Sequence, residues 1–145
     1  VIRKEVKMRK YTHKVHYYET DKMGIVHHSN YIKWLEEARV EMMREMGYSF
    51  KSLEEQGIFS PVLSYTINIK HSSTFDDNVD IYMYVKSYNS VRLEIEYDLK
   101  IDDKIIATAV TKHCFTNAEG LPLRLNRINP GLDQMLKEKI GKEEI

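Results

Sequence analysis

The hydrophobic pattern changes period once along this 145-residue chain, and that change fixes the class of fold. From residue 32 to residue 46, apolar side chains recur every three or four positions, which is typical of one face of an α-helix. Later the spacing becomes two, in three successive runs that begin at Leu63, Val79 and Val91. Such alternation indicates antiparallel strands that bury one face. One helix beside these strands predicts an α+β fold.

Two further runs complete the predicted order of a strand, a long helix and four strands. Tyr11 to Glu19 reads as a strand before the helix, and Lys104 to Thr116 reads as a fifth strand after a tight turn. Ser29 or Asn30 provides a short polar cap for the helix, and Gly47 ends it. Because one helix cannot cover five strands, we expect a second copy of the chain to cover the rest.

Composition narrows the class of protein. The chain is 42% hydrophobic, and Lys plus Arg equals Asp plus Glu at 22 each, so net charge gives no reason to expect nucleic acid or an anionic membrane. No apolar run approaches the roughly 20 residues that span a bilayer, and the basic amino end lacks the apolar stretch of a secretory signal. The single cysteine, Cys114, fits a reducing cytoplasm. We expect one domain over residues 1–145, with its core at about 11–122 and a tail at 123–145.

The segment Asp21 to Tyr31 carries the strongest indication of chemistry. It places a carboxylate at the predicted strand end, then a turn that contains Gly24, then the start of the helix. The first amides of a helix are unpaired and the helix dipole is positive there. An acid therefore lies beside a site that can stabilise an oxyanion, and acyl transfer needs both parts.

This segment, with its pattern Asp-x-x-Gly-x-Val-x-His-x-Asn-Tyr, resembles the signature of the 4-hydroxybenzoyl-CoA thioesterase family of hotdog-fold enzymes. Within that family it is similar to the YbgC-like acyl-CoA thioesterases, and the resemblance covers about residues 11–122. It implies a hotdog fold, in which a five-stranded antiparallel sheet wraps around one long central helix. It also implies hydrolysis of an acyl-CoA to a carboxylic acid and coenzyme A without a cofactor. A cytoplasmic homodimer or homotetramer with active sites at the subunit boundary is expected.

The resemblance also assigns residues. Asp21 matches the catalytic carboxylate, which acts as the nucleophile or as the base that activates water. His28 matches an active-site histidine whose N–H faces the thioester carbonyl, and Tyr17 is a third catalytic candidate. Gly24, His28 and Asn30 are the candidates for substrate binding. On position alone, Asp21 is also explained as a turn former, Tyr17 as a core residue, and His28 and Asn30 as polar residues that cap the helix start.

Several alternatives remain open at this point. Glu36 is a rival, because another hotdog branch uses a carboxylate on the helix, although ion pairs at helix spacing explain it and its charged neighbours, including Arg39. A thioester-binding module without turnover would keep the pocket but would gain nothing from Asp21. Thioesters of acyl carrier protein are a further substrate class. No metal is expected, because His13 and His16 would face opposite sides of a strand.

Coenzyme A carries phosphates, so basic side chains near the sheet edge are candidates to bind it. They are Lys70, His71, Lys112, Arg124 and Arg127. Each of them is equally explained as an ordinary surface residue.

Overall fold

The fold consists of one five-stranded antiparallel sheet with helices packed against it. A computed structural model describes residues 10–140, so the basic segment before Lys10 lies outside the described residues. The elements are β1 (Tyr11–Lys14), α1 (Ser29–Glu45), α2 (Phe50–Glu55), β2 (Val62–Ile69), β3 (Asn78–Tyr88), β4 (Arg92–Ile101), β5 (Lys104–Cys114), α3 (Leu125–Ile128) and α4 (Pro130–Lys139). The strands are ordered β1-β3-β4-β5-β2. None of these helices is both long enough and apolar enough to cross a bilayer. The predicted α+β class is confirmed.

Helix α1 follows the apolar stripe that the sequence predicted. It runs for 17 residues and ends before Gly47, whose φ of 89° is the left-handed conformation that glycine favours after a helix. The predicted cap is wrong, because no side chain caps the first turn. Instead, the hydroxyl of Ser29 lies 2.8 Å from Nδ1 of His27. The buried residues of the stripe are Tyr31, Trp34, Leu35, Ala38 and Met42.

The central strands confirm the alternating pattern. In β3 and β4, every second side chain is buried and contributes to the same apolar cluster as α1. The turn between β4 and β5 has its two central residues, Asp102 and Asp103, at φ of 47° and 67°. Positive φ at both positions matches the twist of a two-residue hairpin, so the prediction of a tight turn is confirmed.

The carboxyl-terminal helices belong to the packed structure. Leu125, Leu132 and Leu136 are fully buried in the apolar cluster. Asp133 fixes α4 to the sheet, because its Oδ1 accepts hydrogen bonds from Tyr88 at 2.5 Å and from Ser90 at 2.6 Å. The buried core therefore extends past residue 122, where the sequence analysis placed its limit.

The first strand is shorter than predicted. β1 ends at Lys14, and Tyr17–Glu19 forms a 3₁₀ turn instead of continuing the strand. The rings of His13 and His16 consequently lie with centroids 5.4 Å apart. The argument that these histidines face opposite sides of one strand is therefore wrong.

Strand β2 departs from the predicted pattern of burial. It lies at the edge of the sheet and pairs only with β5. Ile67 is half-buried, and the other seven residues of the strand are exposed. The apolar side chains on its surface are Val62, Leu63, Tyr65 and Ile69. An unpaired strand edge with apolar side chains is a surface that favours association with another chain.

Polar side chains of β4 and β5 form a buried chain of hydrogen bonds within the core. The hydroxyl of Thr111 lies 2.8 Å from that of Tyr97 and 2.7 Å from Nε2 of His113. Burial, together with the nearby positive charge of Arg39, lowers the pKa of His113 from 6.5 to about 3. The imidazole is therefore neutral in the folded protein at every pH at which an enzyme of this kind is assayed.

This burial predicts an acid-sensitive fold. Below pH 6.5 the unfolded chain protonates at His113 and the folded chain does not, so stability falls as the pH drops from 6.5 towards 3, by up to about 1.4 kcal/mol for each pH unit. We expect this slope to be smaller in His113→Gln, measured by urea unfolding at pH 7.5, 6 and 5 at one protein concentration. The exposed His71→Gln is the control, and parallel stability curves for parent and His113→Gln would contradict the assignment.

Candidate active site

A closed turn holds Asp21 between the 3₁₀ turn and α1. Thr20 and Val26 pair as an isolated antiparallel bridge. Inside it, the Asp21 N–H donates to the carbonyl of Ile25 at 2.8 Å, and the Gly24 N–H donates to the carbonyl of Asp21 at 3.0 Å. Gly24 has a φ of +77°, a conformation that costs residues with a Cβ about 1–2 kcal/mol. The sequence therefore fixes the turn through its glycine.

The side chain of Asp21 is half-exposed, and only one of its two carboxylate oxygens accepts a hydrogen bond within the described residues. Its Oδ1 accepts a hydrogen bond of 2.8 Å from the Met23 N–H. Within residues 10–140, Oδ2 has no hydrogen-bond partner. One oxygen is thus fixed by the backbone while the other remains available to a ligand or a water molecule.

His28 precedes the first residue of α1 and offers a free backbone donor. The N–H groups of Asn30 and Tyr31 donate to the carbonyls of His27 and His28, at 3.0 and 3.3 Å. The N–H of His28 itself donates to no group in the described part of the chain. It lies at the positive end of the helix dipole, where a developing negative charge is stabilised.

Asp21 and His28 line one open pocket on the surface. Its wall comes from the start of α1 and from the segment that follows β2. The lining residues are Asp21, Ile25, Val26, His28, Tyr31, Ile69, Lys70, His71 and Ser72. The backbone N–H groups of Lys70 and His71 both donate to the carbonyl of Ile106, at 2.8 and 3.1 Å, which holds these two basic residues beside the carboxylate. The contribution of Ile69 to the pocket was not predicted, because the sequence pattern does not indicate which residues far apart in the chain come into contact.

Three of the predicted site residues do not line this pocket. Gly24 lies within the Asp21 turn but is not one of the lining residues. Tyr17 is 75% exposed, and its ring makes an edge contact with Phe75 at 5.6 Å. Asn30 is buried, and its amide donates to the carbonyls of Glu19 at 2.9 Å and His27 at 3.2 Å. Neither Tyr17 nor Asn30 lines the pocket that contains Asp21, so their roles towards a substrate stay predictions.

Two charged residues of α1, Glu36 and Arg39, differ in burial. Glu36 is exposed and lines a different depression, together with Arg39 and Ser60. The prediction of a solvated ion pair is wrong for Arg39, which is 4% exposed and donates through Nη1 to the carbonyl and hydroxyl of Ser60, both at 3.3 Å. Its guanidinium also lies over the ring of Phe50, 4.9 Å from the centroid.

Three potential metal ligands, from His13, His16 and Glu19, lie within 4.8 Å of one another. Hydrogen bonds account for this arrangement. Oε1 of Glu19 lies 2.8 Å from Nε2 of His13 and accepts from the His16 N–H at 2.8 Å, while Oε2 accepts from Nε1 of Trp34 at 2.6 Å. Both carboxylate oxygens are therefore satisfied without an ion. The absence of a metal site stays a prediction.

Comparison with known proteins defines the class. Residues 15–137 match the Thioesterase-like superfamily, and the chain belongs to that superfamily. The structure is similar to the DHNA-CoA thioesterase of Staphylococcus aureus, with a TM-score of 0.85 and 29% identity, covering 90% of this chain and 89% of that one. The predicted hotdog-type thioesterase fold is confirmed.

Relatives in sequence agree with this class. A candidate esterase of Aquifex aeolicus is 33% identical over 104 residues, which cover 72% of this chain and 81% of that protein. YneP of Bacillus subtilis, a candidate acyl-CoA thioesterase, is 29% identical over 99 residues, or 68% of this chain and 67% of that protein.

The turn predicts a specific effect of substitution at Gly24. No atom lies within 4 Å of a Cβ built there, so Gly24→Val strains the backbone without a clash. We expect the strained turn to shift Asp21, whose carbonyl accepts the Gly24 N–H, and to lower kcat more than it weakens coenzyme A binding. Steady-state kinetics and calorimetry measure the two effects.

Gly120→Val is the matched control. Gly120 has a φ of +82° and equally open space around its Cβ, but its N–H donates to the carbonyl of Asn117 and not to that of Asp21. It should lose similar stability and keep its kcat. Equal activity in Gly24→Val and the parent would show that the turn has no part in catalysis.

Proposed function

We propose that this protein is an acyl-CoA thioesterase that hydrolyses the thioester bond to a carboxylic acid and coenzyme A. One observation carries the proposal: Asp21 and His28, whose backbone N–H has no acceptor within residues 10–140, line the same open pocket at the start of α1. This is the pairing of an anionic group with an oxyanion donor that acyl transfer requires. Membership in the thioesterase superfamily supports the same reaction.

In the first form of the mechanism, Asp21 acts as a general base. Its free Oδ2 accepts a proton from a water molecule while the water oxygen attacks the carbonyl carbon of the thioester. The tetrahedral intermediate then breaks its C–S bond, and the proton passes to the departing sulfur. The products are a carboxylic acid and the free thiol of coenzyme A.

In the second form, Asp21 acts as a nucleophile. The carboxylate oxygen attacks the carbonyl carbon, and the thiolate leaves to give a mixed anhydride, which water then hydrolyses. In both forms, negative charge develops on the carbonyl oxygen. The His28 N–H and the positive end of α1 stabilise that charge, and loss of one such donor typically costs about 3 kcal/mol of transition-state stabilisation.

Lys70 and His71 are the groups proposed to bind the phosphates of coenzyme A. Both are exposed, and both line the pocket of Asp21. The other basic candidates lie elsewhere: Lys112 on β5 is 3.6 Å from Glu94, while Arg124 and Arg127 flank or occupy α3. Binding of the nucleotide end would leave the acyl thioester to reach Asp21.

The protein is proposed to act as a homodimer or a larger assembly, and the exposed apolar edge of β2 supports this. Pairing of two β2 strands about a two-fold axis perpendicular to the plane of the sheet is antiparallel, so the Ile69 end of one strand would lie towards the Val62 end of the other. Since Ile69 lines the pocket of Asp21, the second copy would complete that pocket.

The cytoplasmic location stays a prediction that rests on the single cysteine.

Asp21→Asn tests the catalytic carboxylate. The change keeps size and hydrogen bonding but removes the anion that acts as base or nucleophile, so we expect the rate to fall by at least about 10²-fold. The measurement is thiol release from a panel of acyl-CoAs, with circular dichroism as the check on folding.

Asp103→Asn, in the hairpin turn between β4 and β5, is the matched control and should keep the parent rate. If Asp21→Asn keeps the parent rate, Asp21 has only a structural role and Glu36 becomes the residue to test. If the folded parent binds acyl-CoA but hydrolyses none of the panel, a binding module or an acyl-carrier-protein substrate replaces this proposal.

Tyr65→Lys tests the proposed interface. Tyr65 is 52% exposed on β2, and a lysine on a strand edge opposes pairing with another strand. Light scattering at micromolar concentration should show a dimer or larger assembly for the parent and a shift to monomer for the variant, with loss of activity. Leu121→Lys, at a position that is 61% exposed and outside β2, should change neither. A monomeric parent would contradict the interface.

A further inference from the structure

The carboxylate of Glu19 lies outside the pocket of Asp21, yet it is the most completely bonded acidic group near it. It is 5% exposed. Its two oxygens receive three donors: Nε2–H of His13, the backbone N–H of His16, and Nε1–H of Trp34. Because an ionised carboxylate only accepts hydrogen bonds, Nε2 of His13 must carry a proton. The three donors come from β1, from the residue that precedes the 3₁₀ turn and from α1.

The main chain of the same residue bonds to the start of α1. Its carbonyl accepts the His27 N–H and the side-chain amide of Asn30, both at 2.9 Å. Glu19 therefore binds the body of α1 through its side chain and the start of α1 through its carbonyl. The Asp21 turn begins directly after Glu19 and ends directly before His27. Because the His27 N–H donates to the Glu19 carbonyl, Glu19 contacts both ends of the turn.

We propose that Glu19 is a positioning residue that holds Asp21 in register with the amides at the start of α1. This inference rests on the proposed catalytic role of Asp21. One residue, Thr20, separates Glu19 from Asp21, and the first residue after the turn, His27, precedes the His28 donor. A small movement of Glu19 therefore changes the distance between the carboxylate and the oxyanion donor, and a displacement of about 1 Å costs up to about 10²-fold in rate.

The charge state of Glu19 agrees with this geometry. Burial is the largest influence on its pKa and opposes ionisation. The hydrogen bonds from the His16 N–H, His13 and Trp34 together outweigh burial and hold the pKa of Glu19 below its ordinary value of 4.5. The residue is therefore an anion at the pH of the assay, with no oxygen left over for a substrate.

Glu19→Gln is the principal test, because it keeps the size of the side chain while removing its charge and one of its acceptor oxygens. The amide has one oxygen and one NH₂ group, so at least one of the three donors loses its acceptor and faces another donor. We expect kcat to fall by about 10²-fold, while KM and coenzyme A binding stay within about twofold, since Glu19 does not line the pocket. Circular dichroism and a melting curve establish the folded fraction at the assay temperature.

Glu37→Gln is the matched control. The Glu37 carboxylate lies 3.5 Å from the other nitrogen of His13, Nδ1, but its side chain is 49% exposed, so its neutralisation leaves the Glu19 bonds in place. It should keep the parent kcat. An equal loss in both variants, or a Glu19→Gln kcat within about threefold of the parent, overturns the proposal.

A second measurement does not depend on activity. Hydrogen exchange should become about tenfold faster in peptides spanning residues 20–30 of Glu19→Gln, with β3 and β4 unchanged. Unchanged exchange there overturns the proposal. If Glu19→Gln does not fold, Trp34→Phe, which removes one donor and keeps an aromatic ring, decides instead through the same readouts. Failure of the proposed function is distinct, because then Asp21→Asn retains the parent rate.

Discussion

The hydrogen bond between the indole of Trp34 and the carboxylate of Glu19 connects the two parts of the molecule on which the site depends. Trp34 is fully buried in the core between α1 and the sheet, so its position is set by packing. Its Nε1 lies 2.6 Å from Oε2 of Glu19, a residue outside any long element. The rigidity of a close-packed core is thereby transmitted to the short turn that carries Asp21. The segment before β3 holds the same turn from its other side, because the Ser73 carbonyl accepts the Val26 N–H at 2.8 Å and the Thr74 hydroxyl donates to the Gly24 carbonyl at 2.7 Å.

The edge of the sheet at β2 differs from the Asp21 turn, because the described part of the chain does not cover it. β3 and β4 alternate buried and half-buried side chains because α1 covers one face. β2 has no such cover, and its apolar residues are exposed at the edge. The same strand ends beside Asp21, with Ile69 in the wall of the pocket. In the proposed assembly, a second β2 strand would therefore extend the sheet and add to the wall of the pocket at the same place.

The sequence predicted the elements whose pattern repeats over many residues. The period of two identified β2, β3 and β4, and the stripe from Ile32 to Met46 identified α1, because burial on one face imposes a period on the order of apolar and polar residues. The errors have two separate causes. The 3₁₀ turn at Tyr17–Glu19 has three residues, so Tyr11 to Glu19 read as one strand. β2 was assigned a buried face because the period of two reports an apolar face, whichever chain covers it.

For the site, the sequence located the turn but not its surroundings. Asp21, Gly24 and His28 were found because they are adjacent in the chain and match a family pattern. The supporting role of Glu19 was not found, since its partners lie 6 and 15 residues away on different elements, and nothing in the spacing of His13 and Trp34 indicates a shared acceptor. Arg39 was misplaced for the same reason. Burial beside Ser60 is decided by how α1 meets the segment before β2, and helix spacing contains no information about that contact.

The electrostatics of the pocket explain why backbone groups suit this chemistry. In the proposed reaction Asp21 acts as an anion, so a cationic side chain aimed at the same point would form an ion pair with it and reduce its reactivity. A backbone N–H at a helix start stabilises an oxyanion through a partial charge, which attracts the developing charge without neutralising the carboxylate. A full positive charge of the pocket comes instead from Lys70, in the segment after β2. In the proposed complex it binds phosphate while the acyl carbon meets Asp21. Under that proposal, the separation of a partial charge at the helix from a full charge at the strand end lets one pocket hold an anionic substrate together with the Asp21 carboxylate.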